Sequence, residues 1–150
     1  MATLLDQTTH QALLDNRNIL VVDDEESIRR LLAYLLQSHG YTVDCAADAR
    51  EARQKLSDQP FALMLCDVNM PGESGMDLVR SLLSDQNHTA AIMVTGLDSS
   101  VLANAALDGG AFGYIVKPLE SNEVLIDVAN ALRRRRLEMN ARHADLVDGT

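Results

Sequence analysis

The stretch that decides the fold is Phe61–Gly75, FALMLCDVNMPGESG. Its first six residues, Phe61–Cys66, form an unbroken apolar run, as expected of a central parallel strand covered on both faces. The run stops at Asp67. Asn69-Met70-Pro71-Gly72 then reads as a loop, and Met76, Val79, Leu82 and Leu83 space the inner face of a following helix. The unit is a strand, an acid at its carboxyl end, a loop and a helix.

Working outward, the same alternation recurs on both sides. Asn18–Val22 (NILVV) reads as a buried strand, followed by Ile28, Leu31, Leu32, Leu35 and Leu36 at helical spacing. Gly40 ends that helix, and Tyr41–Ala46 (YTVDCA) alternates like an edge strand. Asp48-x-x-Glu51 is a capping box opening a helix whose inner face is Ala49, Ala52 and Leu56. Downstream, Ala90–Val94 (AAIMV) is a second central strand and Asp98–Leu107 a short helix stopped by Gly109-Gly110. Ala111–Val116 (AFGYIV) is a fifth strand, and a helix from about Glu120 runs on past Leu132. Strict alternation predicts an α/β fold: a doubly wound, five-stranded parallel sheet with five helices. The domain is expected over residues 18–132. Residues 1–17 read as a weakly structured extension, and residues 133–150 as a helical tail or a linker to an output domain.

A chain of 150 residues suits one domain able to bury a core without disulfides or a structural metal. With no Trp, two Phe and three Tyr, that core must be aliphatic. The net charge of −9 argues against nucleic acid as the main partner, since phosphate binding rests on a basic surface. No apolar run reaches the length of a membrane span, and residues 1–17 lack the pattern of a secretory signal. A cytoplasmic location is the expectation. Cys45 and Cys66 lie in apolar runs without metal-ligand spacing and read as reduced, small hydrophobes.

In open α/β sheets, functional groups gather beyond the carboxyl ends of the strands. Strand one ends in Asp23-Asp24, strand three in Asp67, strand four in Thr95-Gly96 and strand five in Lys117-Pro118. Any one of these has an ordinary explanation as a cap, a turn residue or a solvated charge. Together they bring three carboxylates, a hydroxyl and an ammonium to one rim. Adjacent carboxylates raise one another's pKa unless a cation relieves them, and hard oxygen ligands with room for water suit Mg²⁺ or Mn²⁺. A divalent ion beside a lysine is the usual equipment for steadying a transferring phosphoryl group. Asp67, on the central strand between the acidic pair and Thr95, is the candidate nucleophile.

Two rival chemistries fit less well. A phosphatase of the haloacid-dehalogenase type needs a second Asp two residues after the nucleophile as general acid, and that position is Asn69. A flavodoxin-like flavin carrier needs a phosphate loop after strand one, where Asp23-Asp24-Glu25-Glu26 would repel the flavin phosphate.

The ordered segments VVDDEES, LMLCDVNMPGESG, IMVTG and GAFGYIVKP resemble those of bacterial two-component response-regulator receiver domains, over about residues 18–132. The resemblance implies strand order 2-1-3-4-5. It also implies a regulatory role, not that of a metabolic enzyme: the domain would catalyse only its own phosphorylation and dephosphorylation. Asp67 would accept phosphate from a sensor histidine kinase or phosphotransfer protein. Asp24 and Asp67 would ligate Mg²⁺ directly, Asn69 through its backbone carbonyl and Asp23 largely through water. Thr95 would contact the phosphoryl group, Lys117 would pair with it, Tyr114 would be the aromatic switch that turns inward, and Lys117-Pro118 would be a cis peptide. Thr95 and Tyr114 would relay the change to an output domain or a partner protein.

No DNA-binding or catalytic domain fits in the residues after Leu132, so the segment reads as a free-standing receiver or as part of a longer regulator. Leu125, Leu132, Met139 and Leu146 recur every seven residues, which raises a homodimer through the C-terminal helix, centred on Leu132 and Met139. The companion seam of Val128, Arg135 and Arg142 is poor for a coiled coil. The alternative is that Leu125 and Leu132 only complete the domain core. An unpaired tail is expected to fray beyond about Arg136.

Overall fold

The computed structural model describes residues 10–84, 88–96 and 100–148. Five parallel strands, β1 (Asn18–Val22), β2 (Thr42–Ala46), β3 (Leu63–Asp67), β4 (Ala90–Thr95) and β5 (Gly113–Val116), pair in the order β2-β1-β3-β4-β5. Helices α1 (Glu26–Gln37), α2 (Ala49–Asp58), α3 (Gly75–Ser84), α4 (Ser100–Asp108) and α5 (Ser121–Asp148) connect or follow them. This is the predicted doubly wound sheet. Residues 10–14 add a further helical segment within the stretch expected to be weakly structured. Four expectations fall partly outside the described residues: residues 1–9 of the extension, the start of the fourth helix at Asp98, the side chain of Leu83, and residues 149–150 of the tail.

Alternate residues of each central strand serve opposite faces, as the two-residue period requires. Ile19, Val21, Leu63, Leu65, Ile92 and Val94 face α1 and α5, meeting Leu32, Leu36, Val124 and Val128. Leu20, Val22, Met64, Cys66, Ala91 and Met93 face the other way, against Ala49 and Ala52 of α2, Leu78, Val79 and Leu82 of α3 and Ala106 of α4. All five residues of β3 and all six of β4 are buried, which is why Phe61–Cys66 carries no polar residue. Edge strand β2 is half-exposed. The Asp48 carboxylate accepts from Glu51 N at 2.8 Å, while Glu51 reaches back to Ala47 N at 3.2 Å. Both thiols are free. Cys45 is level with Val21 and Cys66 with Val22, so β1 separates them.

The C-terminal helix departs from expectation. It runs unbroken from Ser121 to Asp148 and does not fray at Arg136, because its continuation packs on its own chain. Leu125 and Leu132 lean on the core, and Met139 is only 5% exposed. The seam expected to centre on Leu132 and Met139 is therefore largely covered from within, and Leu146 is the member left exposed.

Candidate functional site

Asp67 is the last residue of β3, and the ladder sets its neighbours. It lies level with Val94, and Thr95 lies level with Val116. Val68 N donates to Val94 O at 3.0 Å and Lys117 N to Thr95 O at 2.6 Å, so the strand ends are fixed just where the side chains are needed. On the other side, Asp23 continues β1, its N–H donating to Ala46 O at 3.1 Å. Its side chain closes an Asx turn by accepting from Glu25 N at 2.9 Å, and an Arg29 guanidinium nitrogen donates to its carbonyl at 2.7 Å. The turn leaves the Asp23 carboxylate buried and those of Asp24 and Glu25 exposed at the start of α1.

Lys117 joins the halves of the rim. Its Nζ donates to Asp23 Oδ2 at 2.9 Å and Asp67 Oδ2 at 3.5 Å, with Glu25 Oε1 at 4.0 Å. Asp23 and Asp67 are buried, at 2% and 5% exposure. Burial pushes the Asp67 carboxyl above its ordinary value, only partly offset by the Asn69 N–H at 3.0 Å and the Lys117 charge. Burial works against the Lys117 ammonium too, but its hydrogen bond to Asp23 and the charges of Asp23, Asp67 and Glu25 leave its pKa raised. A carboxylate less well stabilised than in water is the more basic one, which suits a nucleophile.

The carboxylates of Asp23, Asp24 and Glu25 lie within 4.8 Å of one another. Glu25 was not among the ligands read from the sequence, although it stands in the same acidic run. The grouped acids do not include Asp67, which joins the rim through Lys117. Hard oxygens, one set buried and two exposed, leave room for coordinated water and fit Mg²⁺ or Mn²⁺. Cys66, whose Sγ lies 3.5 Å from Asp67 O, is buried, and that burial pushes its thiol far above the ordinary range, so it stays protonated.

Thr95 is fully buried. Tyr114 is half-buried against the cluster holding Met93. It lies level with Met93, and Thr95 is two residues further along β4, so the two residues share one face of the sheet. The Lys117-Pro118 bond is cis. Gly72 adopts φ +82°, a left-handed conformation that glycine takes without strain. Asn69 is exposed beside Asp67.

Comparison with known proteins accords with this geometry. The family model for the response regulator receiver domain matches residues 19–129. The response regulator MprA of Mycobacterium ulcerans is 40% identical over 121 residues, 80% of this chain and 52% of that protein. The transcriptional regulatory protein AruR of Pseudomonas aeruginosa is 36% identical over 123 residues, 79% of this chain and 50% of that one. The chain thus spans about half the length of these curated relatives. Among solved structures, a CheY-like receiver domain protein of Methanospirillum hungatei superposes with a TM-score of 0.77 at 31% identity, covering 83% of this chain and 99% of that one. With the family model covering most of its length, this chain belongs to the response regulator receiver domains of two-component signalling.

Proposed function

We propose that this domain is switched by phosphorylation of Asp67, with the phosphoryl group supplied by a sensor histidine kinase or a phosphotransfer protein. The observation that carries the reading is the buried Asp67 carboxylate at the end of the central strand, with the Lys117 ammonium at 3.5 Å and a trio of acids alongside. An Asp67 oxygen attacks phosphorus, the phosphorus–nitrogen bond of the donor phosphohistidine breaks, and the departing imidazole keeps the electron pair and takes up a proton. The product is an acyl phosphate. Lys117 balances charge on the phosphoryl oxygens, and the Asn69 N–H steadies the carboxylate.

Asp23, Asp24 and Asp67, with the Asn69 carbonyl and now Glu25, are the groups proposed to hold Mg²⁺ or Mn²⁺. The ion supplies positive charge against the incoming phosphate when bound. The Thr95 hydroxyl is proposed to contact the phosphoryl group and to draw Tyr114 inward along the face they share. Differential contact of this kind is what biases a two-state element. The output is a following domain or a partner protein, a reading supported by relatives about twice the length of the match.

The test is phosphorylation by acetyl phosphate in Mg²⁺, followed by intact-mass spectrometry. The wild type should gain one phosphoryl group and Asp67→Asn none, because an amide is not a nucleophile. Stoichiometric phosphate on the variant would remove the assignment.

A further inference from the structure

At the end of the sheet opposite the acidic rim, the segment before β1 is tied to α5. His10 Nε2 lies 2.9 Å from Asn140 Oδ1. Arg135 is 4% exposed, and its guanidinium donates to two carbonyls, His88 O at 2.6 Å and Leu13 O at 2.9 Å. Between residues 14–17 and α5 a hollow of about 420 Å³ stays open, a size that takes a small molecule. Arg17, Arg133, Arg135 and Arg136 line it, and Asp15 is the one acid in its wall. Four of the thirteen lysines and arginines of a chain with net charge −9 thus converge on one cavity.

The protein itself does not neutralise these charges. Arg135 uses Nε and Nη1 on carbonyl dipoles, and among the described residues Nη2 has no partner and no carboxylate pairs with the side chain. That nitrogen is not sealed off, since no buried side-chain nitrogen there lacks a partner. Burial works against its charge, yet an arginine stays protonated. Glu138 borders a smaller hollow beside Arg135 but is taken up by Arg134 at 3.1 Å, and Asp58 borders a third without pairing with it. Arg17 lies over the Tyr41 ring at 4.5 Å and its Nε donates to Gly40 O at 3.3 Å, which leaves both terminal nitrogens for a ligand. Arg133 has no partner among the described residues. Arg136 meets only the exposed Asp15, at 3.9 Å, a pair worth little in water. An arginine run on a bare helix face stays solvated; residues 14–17 wall this one in.

We propose that this hollow binds a small phosphate-bearing ligand, free or esterified, with the guanidinium groups of Arg17, Arg133, Arg135 and Arg136 on the phosphate oxygens. Guanidinium forks match phosphate oxygens two at a time. Four cations against one acid leave an excess of three, which a multiply charged phosphate matches better than a single carboxylate. Leu14 and Leu132 offer an apolar flank to an esterified group. Occupied, the site ties residues 14–17 to α5, the helix that runs on past the sheet. It uses no residue of the acidic rim and stands independently of phosphorylation at Asp67.

Two-dimensional NMR of the full chain tests it, with inorganic pyrophosphate and adenosine diphosphate titrated separately in EDTA. Without metal, the acids of the rim repel both probes. Backbone amides of residues 13–17 and 132–136 should shift and saturate by about 10 mM probe, while those of residues 23–25 and 67–69 stay in place. Arg133→Gln with Arg136→Gln changes two exposed positions and should weaken binding by about tenfold or more, since contacts to a charged group are lost. Arg30→Gln with Arg80→Gln, outside the hollow, should leave the affinity unchanged. Equal or weaker binding of adenosine diphosphate assigns the site to the inorganic anion, and tighter binding to a phosphate ester; either supports the proposal. No saturable shift over that range, shifts confined to the rim, or the same affinity in both double variants would overturn it. So would a short oligonucleotide that binds more tightly than either probe, because the surface would then be a nucleic-acid contact.

Discussion

Gly75 lies against the backbone carbonyl of Asp67: a Cβ on Gly75 would stand 2.1 Å from that oxygen and 3.1 Å from Cys66 Sγ. Its own N–H donates to Val68 O at 3.2 Å, so the first turn of α3 is pressed onto the end of β3. Neither backbone can yield without disturbing the ladder to β4. Gly75→Ala is therefore expected to cost about 3 kcal/mol, the upper range for forcing atoms into a packed site, and to displace the Asp67 carboxylate. Urea unfolding checks it. A loss below about 0.5 kcal/mol, the scale of an indifferent surface change, would mean that the contact is not made.

Lys117 keeps two buried carboxylates apart in energy as well as in space. Lys117→Met leaves Asp23 and Asp67 facing one another without a counter-charge, at an expected cost of about 3–5 kcal/mol near neutral pH. The folded pKa of Asp67 already lies above its unfolded value, through burial, and the substitution removes a charge that opposes that rise. A raised carboxyl destabilises the fold above its folded pKa, and the penalty fades as pH falls through that value towards the unfolded one. The deficit of the variant should thus shrink in acid. Denaturant titrations at two pH values read it, and a deficit that does not change with pH would count against the geometry.

Magnesium should stabilise the wild type by mass action, by about 2–3 kcal/mol at a hundredfold excess over its dissociation constant. Asp24→Ala should lose most of that response and gain stability without metal, since one of three crowded carboxylates is gone. Melting curves with and without Mg²⁺ give both quantities. An unchanged metal response in the variant would place the ion elsewhere.

Much of the architecture and the rim could be read from the chain because burial leaves one-dimensional marks. A strand covered on both faces tolerates no polar residue, so FALMLC announces β3 and its end announces Asp67. The Asp48–Glu51 cap is local, and its spacing carries it. The C-terminal helix was harder because a period of seven specifies a stripe without saying what covers it. Met139 is covered by its own chain, and Arg135 is buried by carbonyls from residues far away in sequence. The same distance hid the role of residues 10–14, whose partners on α5 lie some 120 to 130 positions downstream. Glu25 was visible as an acid. Only the Asx turn at Asp23 shows that its carboxylate joins the cluster.

The central claim is that Asp67 is the phosphoacceptor, and chemical trapping tests it most directly. An acyl phosphate is reduced by borohydride to an alcohol, which unmodified carboxylates resist, so a phosphorylated aspartate is recorded as homoserine at its own position. The wild type, treated with acetyl phosphate and Mg²⁺, reduced and digested with trypsin, should carry homoserine at position 67 within the peptide Leu56–Arg80. Conversion at Asp23 or Asp24 instead, or a phosphorylated chain without conversion at position 67, would contradict the account.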